Sequence, residues 1–368
     1  MKKIVLAFDA FKGCISANEA CMAAAQGIHS AHPDATIVQI PLSDGGEGLV
    51  NCVREIMPSQ SVSLEVHGPL MKKTRAEYAI SADGQTAYME MAAASGLTLV
   101  PLQARNPMKT TTYGVGEMLA DAIRRGCKKI VMGIGGSATC DGGRGMMEAL
   151  STLGFLETDQ QTGKAYRGLK TDCRIIAACD VNNPLFGKNG AAYVFAPQKG
   201  ATPEQVKLLD EQLRCFARET EQAGIATPQL AEHPGAGAAG GMGYALLAYL
   251  KAELRSGIDI MLDLVNFDDT IKDADLVITG EGRSDEQTLM GKVPHGVLKR
   301  SKRARVPVWL ISGATDDTSA TLSQNFNMVK SINQHEKRPL HVLMQAEVAK
   351  ENLKQTVKTE IESLFQCQ

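Results

Sequence analysis

The first forty residues leave few folds open. Lys3 to Phe8 (KIVLAF) is a short apolar run of the kind that makes a buried strand. After a polar turn comes Ser16-Ala17-Asn18-Glu19, an S-x-x-E capping box, in which the serine and glutamate side chains each satisfy an open backbone N–H at a helix start. That helix is predicted to end near His32-Pro33, and a second strand, Thr36 to Pro41, follows at once. Two parallel strands need such a crossover. The fold class this predicts is α/β, and the rest of the chain agrees. Lys129 to Ile134, Arg174 to Ala178, Leu276 to Thr279 and Val306 to Ser312 are further buried runs, each ending in Gly or an acid. Loops at the carboxyl ends of such strands are where open α/β sheets bind ligands.

Other stretches fill in the organisation. Val62, Leu64 and Val66 alternate with Ser63, Glu65 and His67, which predicts half-exposed antiparallel strands from about 62 to 80 and a change of domain. At 368 residues the chain exceeds what one core usually serves, so two domains are expected. Thr202-Pro203-Glu204-Gln205 announces a helix, Val348 to Leu364 an amphipathic closing helix, Glu157 to Arg167 a polar surface loop, and Trp309 a core position. The net charge of -2 gives no broad reason to bind nucleic acid or anionic lipid, so anion binding has to be local. Nine cysteines without paired zinc spacing read as reduced thiols. The N-terminal apolar run is too short for a signal peptide, and no stretch has the length of a membrane helix, so a cytoplasmic location is expected.

The chemistry concentrates in glycine-and-acid loops. Gly133 to Gly145 (GIGGSATCDGGRG) lies between a strand and a helical pattern. Backbone without side chains there can wrap an anion, and a helix N-terminus favours phosphate. Gly135, Gly136, Ser137, Asp141, Gly142 and Gly143 are the candidate nucleotide contacts, against the plainer reading of a tight packing turn. Gly235 to Gly243 contains a literal G-x-G-x-x-G, but a loop-like segment precedes it, so a nicotinamide site is disfavoured. Gly237 and Gly240 remain as a second anion-binding start or as a close-packing surface. No P-loop is present, since Gly291-Lys292-Val293 lacks the hydroxyl residue. Acids beside glycine, namely Asp44, Asp180, Glu281 and Asp285, are able to hold Mg²⁺ or take a hydroxyl proton; each is equally readable as a helix cap. Lys12, Arg105, Lys199, Arg283 and Lys292 recur beside these loops as partners for phosphate or carboxylate.

Taken in order, these stretches resemble the glycerate kinase type-1 family, bacterial enzymes that use ATP to phosphorylate D-glycerate. The matching segments are Asp9-Ala10-Phe11-Lys12-Gly13, Asp44 to Gly48, Glu90 to Leu97, the Gly133 loop, Asp180 to Leu185, Pro197 to Ala201, the Pro234 loop and Gly280-Glu281-Gly282-Arg283 through Gly291-Lys292-Val293-Pro294. The likeness covers about residues 3 to 315 and thins after Ser331. It departs from the family where Phe8-Asp9-Ala10 replaces Pro-Asp-Ser, where Cys140 replaces Asn, and in a shortened Glu157 to Cys173 segment.

The resemblance implies a Rossmann-like three-layer domain built from both ends of the chain, residues 1–66 plus 275–368, with a second α/β domain, 67–274, inserted and the active-site cleft between them. It implies ATP and Mg²⁺ as cofactors, with transfer to the 2-hydroxyl giving 2-phosphoglycerate. Asp180, Asp285, Lys12 and Arg283 are then the catalytic candidates. Lys199, Gly237, Gly240 and Lys292 join the glycine loop on the nucleotide, and Glu281 and Asp44 hold metal. The expected partner is the small-molecule substrate D-glycerate, with neither nucleic acid nor membrane. A homodimer is the assembly to test. The rival activities are an NAD(P)-dependent oxidoreductase using the Gly235 loop and a silent metabolite-binding sensor.

Overall fold

The fold is taken from a computed structural model that describes residues 3–43, 48–158, 166–318 and 320–366. Its contacts divide the chain into two compact units, Met1–Asp44 with Ile258–Gln368, and Gly45–Gly257. The first unit is therefore made from both ends of the sequence.

In the first unit, five strands form one parallel sheet in the order Met328–Ser331, Val308–Ser312, Leu276–Gly280, Lys3–Phe8, Thr36–Gln39. Alternate residues face opposite layers. Ile4, Leu6, Phe8, Leu276, Ile278, Trp309 and Ile311 pack with Ala20, Ala24 and Ile28 of the helix Ala17–Ala31 and with Leu353, Val357 and Ile361 of the helix Ala346–Gln366. These two helices approach closely because Gly27 faces backbone: a Cβ there would lie 2.4 Å from the Lys354 carbonyl oxygen. The helix Val293–Ala304 packs on the sheet as well, completing the three layers. The Ser16 capping box forms as read from the sequence, and His32 is the C-cap.

The second unit carries a six-stranded mixed sheet ordered Glu253–Arg255, Arg174–Ala178, Lys129–Gly133, Thr86–Glu90, Lys73–Ser81, Ser59–His67. The first four strands are parallel and the last two antiparallel, as the alternation predicted for this stretch, and Val62 lies opposite Tyr78. The helix Pro203–Gln222 starts with the Thr202 capping box. The segment read as a plain loop instead begins and ends in paired strands, Leu156–Thr158 with Tyr166–Leu169.

Both unit boundaries fall earlier than 66 and 274 because of pairing partners. Ser59–His67 pairs with Lys73–Ser81, which ties it to the second unit. At the other end, Ile258 packs against Gly296, and Arg300 bonds Asp259, Asp263 and Asp268, so the segment after Gly257 belongs with the first unit.

Candidate active site

The order of the first unit's sheet reverses at Lys3–Phe8: the chain leaves it outward to Thr36–Gln39, while Leu276–Gly280 lies on its other side. A crevice at the carboxyl ends of two such strands is the expected ligand position. A cavity of about 740 Å³ lies there, lined by the loops after both strands. Asp9 continues the first strand, donating its N–H to the Gly280 carbonyl at 2.9 Å and accepting from the Ala10 amide at 2.7 Å. Phe11 and Ile15 exchange backbone hydrogen bonds and close a tight loop that presents Lys12.

Glu281 follows the Leu276–Gly280 strand and is buried. Its Oε1 accepts from Thr288 Oγ1 at 2.6 Å and Ser284 Oγ at 3.2 Å, and its Oε2 lies 3.3 Å from Lys292 Nζ. Ser284 Oγ in turn lies 2.8 Å from Ser312 Oγ. Lys292 reaches this position from the cap of the helix Val293–Ala304. Lys12, Arg283, Lys292, Asp9 and Glu281 thus line one cavity. Asp285 does not line it. Its Oδ1 accepts from the Gln287 amide as a helix cap, and its Oδ2 lies 3.8 Å from Arg283 Nε. Asp44 lies outside the described residues.

In the second unit the strand register places Gly133 opposite Ala178, so the Gly135 loop and Asp180 emerge at neighbouring strand ends. Asp180 is exposed, and its Oδ1 accepts from the Gly257 amide at 3.0 Å. The glycine loop itself has two unlike halves. Gly135 and Gly136 are exposed, Gly136 at φ +70°, and the amides of Gly135, Gly136 and Ser137 donate to no acceptor among the described residues. Leu97 N–H to the Gly136 carbonyl, and Ala138 N–H to the Ser95 carbonyl, hold this half in place.

Gly142 and Gly143 are buried, and their amides are used internally, by the Gly240 carbonyl at 3.0 Å and Asp141 Oδ1 at 3.1 Å. Asp141 Oδ2 accepts from the Thr112 amide and hydroxyl and from the Gly145 amide. The carboxylate therefore occupies the helix start that the sequence offered to phosphate. Gly237 and Gly240 are likewise packing positions, for a Cβ would lie 2.1 Å from the Pro184 carbonyl oxygen and 2.1 Å from that of Thr139, respectively. The residues Ala239, Gly240 and Gly241 are left-handed, so no regular helix start follows the G-x-G-x-x-G, which itself follows a 3₁₀ turn at Pro228–Glu232. That geometry lacks the strand–turn–helix of a dinucleotide site.

Lys199 is only 3% exposed and donates to Ser137 Oγ at 2.7 Å and to the Thr139 carbonyl at 2.6 Å. Burial pushes its pKa down to about 8. It holds the glycine loop from beneath. Cys140, the departure from the family's Asn, is buried in this core, and burial pushes its thiol up to about 11.

These loops carry uncommitted amides, cations and buried carboxylates, but among the described residues no three His, Cys, Asp or Glu side chains converge as a metal cage. Sequence comparison supplies the remaining observation: the profile of the glycerate kinase family matches residues 4–365. The chain belongs to that family. The match extends well beyond the stretch that carried the resemblance. A glycerate kinase from Bacillus cereus is 43% identical over 97% of this chain and 96% of its own. The glycerate 2-kinase of Escherichia coli is 43% identical over 90% of each chain. A crystal structure from Salmonella typhimurium LT2 assigned to glycerate kinase 2 superposes with a TM-score of 0.85 at 41% identity, covering 99% of this chain and 98% of that one. As a kinase family member the chain uses ATP, and no helix among the described residues is long and apolar enough to cross a membrane.

Several site residues carried no signal that the sequence reading used. Ser284 and Thr288 lie three and seven residues after Glu281, a spacing that could have suggested hydroxyls folding back on it. Ser312 is remote in sequence and meets them only through the parallel sheet.

Proposed function

We propose that this protein transfers the γ-phosphoryl group of ATP to the 2-hydroxyl of D-glycerate, giving 2-phosphoglycerate and ADP. The observation that carries the reading is the loop of three uncommitted amides, Gly135 to Ser137, beside the Asp180 strand end, in a chain that matches the family from residue 4 to 365. Such amides hold an anionic group without a side chain in the way. In phosphoryl transfer the protein supplies chiefly position and charge.

Each group has a role in that scheme. Lys12, Arg283 and Lys292 neutralise charge on the phosphates. Asp180 accepts the proton of the attacking hydroxyl. Lys199 acts through the loop it anchors. Mg²⁺, with its preference for one or two carboxylates plus phosphate oxygens, supplies charge neutralisation across the transferred group. Asp9 and Glu281 are the carboxylates that would hold it, and Lys292, 3.3 Å from Glu281 Oε2, would add positive charge beside them.

The test is an ADP-release assay over D-glycerate, L-glycerate, tartronate and hydroxypyruvate, with the product identified by NMR. D-Glycerate should give a phosphate ester at C2. Absence of turnover with every acid sinks the kinase reading, and an ester at C3 overturns the regiochemistry. If Asp180 is the base, Asp180→Asn lowers kcat by about 10²-fold or more with nucleotide affinity retained; near-normal turnover removes it from that role.

A further inference from the structure

The cavity of the first unit is too large and too apolar for a three-carbon hydroxy acid alone. Its volume of about 740 Å³ falls within the range of nucleotide- and drug-sized pockets, roughly 300–1,000 Å³. Ile332, Leu340, Leu343 and Met344 form part of its lining, together with Lys12, Arg283 and Lys292. Glycerate has a carboxylate and two hydroxyls and no apolar face to bury. A nucleotide has both a flat, weakly polar base and a polyanionic tail.

Leu340 is 71% exposed and Met344 42%, an unusual cost for large apolar side chains beside a charged cavity unless something covers them. Gln334 also lines the cavity with its carboxamide unpartnered among the described residues, whereas that of Asn333 is committed to the Gly313 carbonyl and to Asn352. An uncommitted carboxamide is able to pair with the edge of a base.

We propose that this cavity is the nucleotide site, with the base against Ile332, Leu340, Leu343 and Met344 and the phosphates toward Lys12, Arg283 and Lys292. This rests on the kinase reading above. It reverses the assignment the sequence invited, since the Gly135–Ser137 amides are then left for the carboxylate of the acid substrate. Two anions need two sets of donors, and the first unit's set comes with an apolar wall. The position agrees, for the cavity lies where the strand order reverses.

The experiment uses the full chain. ADP is titrated calorimetrically into the wild type and Leu340→Asp, a surface change that leaves the core untouched, and steady-state KM values are measured for ATP and D-glycerate. The ADP Kd and the ATP KM should rise at least tenfold in the variant, with the D-glycerate KM within twofold of wild type. Independently, 8-azido-ADP should photolabel a peptide within residues 332–349.

A label within residues 133–145, an unchanged ADP affinity in Leu340→Asp, or a wild type that binds no ADP overturns the proposal. A selective rise in the D-glycerate KM reassigns the cavity to the acid and overturns it too. If ADP binds and labels as expected while no acid is phosphorylated, the kinase reading fails and the nucleotide site stands.

Discussion

Lys199→Met tests whether a buried ammonium anchors the glycine loop. The unfolded lysine titrates near 10.5 and the folded one at about 8, because burial disfavours its charge. Between these values the unfolded chain binds the extra proton, so wild-type stability rises with pH through that window and is flat below and above it. Complete titration is worth roughly 3 kcal/mol at about 1.4 kcal/mol per unit. From about pH 7.5 to about pH 9.5 the integrated gain is about 2 kcal/mol. Methionine has similar length and no proton to lose, so the variant should not show this gain. Cysteines remote from Lys199 ionise alike in both proteins and cancel in the difference, while Cys140 beside it, whose thiol burial pushes up to about 11, stays protonated in the folded chain over this range. Urea unfolding of both proteins at the two pH values, at constant ionic strength, measures it. The wild-type-minus-variant difference should shift by about 2 kcal/mol in favour of the wild type at the higher pH. Parallel pH dependences would refute the buried-ammonium argument. The variant also loses the donors to Ser137 Oγ and the Thr139 carbonyl, so its kcat should fall at least about tenfold even where its stability is restored.

Three further changes probe the framework. Asp141→Asn places amide hydrogens among the Thr112, Gly143 and Gly145 donors and should cost about 3 kcal/mol in urea unfolding; a loss below about 1 kcal/mol would remove Asp141 as the cap of that helix. Gly240→Ala combines a φ of +74° with a Cβ 2.1 Å from the Thr139 carbonyl oxygen, and should destabilise by about 2–4 kcal/mol. A wild-type melting curve would contradict the close packing of the two glycine loops. Thr288→Val keeps the shape but removes the 2.6 Å bond to Glu281 Oε1, which should cost about 1.5–3 kcal/mol and lower turnover. Unchanged stability would show that Glu281 is held by other groups.

The sequence was most legible where structure is local. The Lys3–Phe8 strand, the Ser16 capping box, the helix start at Thr202 and the half-exposed antiparallel strands around Val62 are written in patterns of a few neighbouring residues, and each formed as predicted. The unit boundary was less legible because alternation says that a segment is a half-buried strand without saying which strand it joins. Ser59–His67 looks the same from the sequence whichever sheet receives it. Within the glycine loop, Gly136 and Gly142 are indistinguishable as letters, yet one is exposed with an unused amide and the other is packed against Leu213 and Phe216. What separates them is the helix Pro203–Gln222, some sixty residues downstream in the chain.

The first unit shows why its anion-handling residues were readable and its apolar wall was not. Asp9, Lys12, Glu281 and Arg283 stand directly after strands of a parallel sheet, and that sheet fixes where every strand ends. A short polar motif after an apolar run is therefore already a statement about position. Leu340, Leu343 and Met344 lie at the short helix Leu340–Leu343 and the residue that follows it, outside the sheet ladder. No hydrogen-bond register ties their identities to their place, so the same wall can be built from many apolar sequences. Short motifs therefore carry the resemblance only up to about Ser331, whereas the family profile, which weighs the pattern of the whole chain, continues to residue 365.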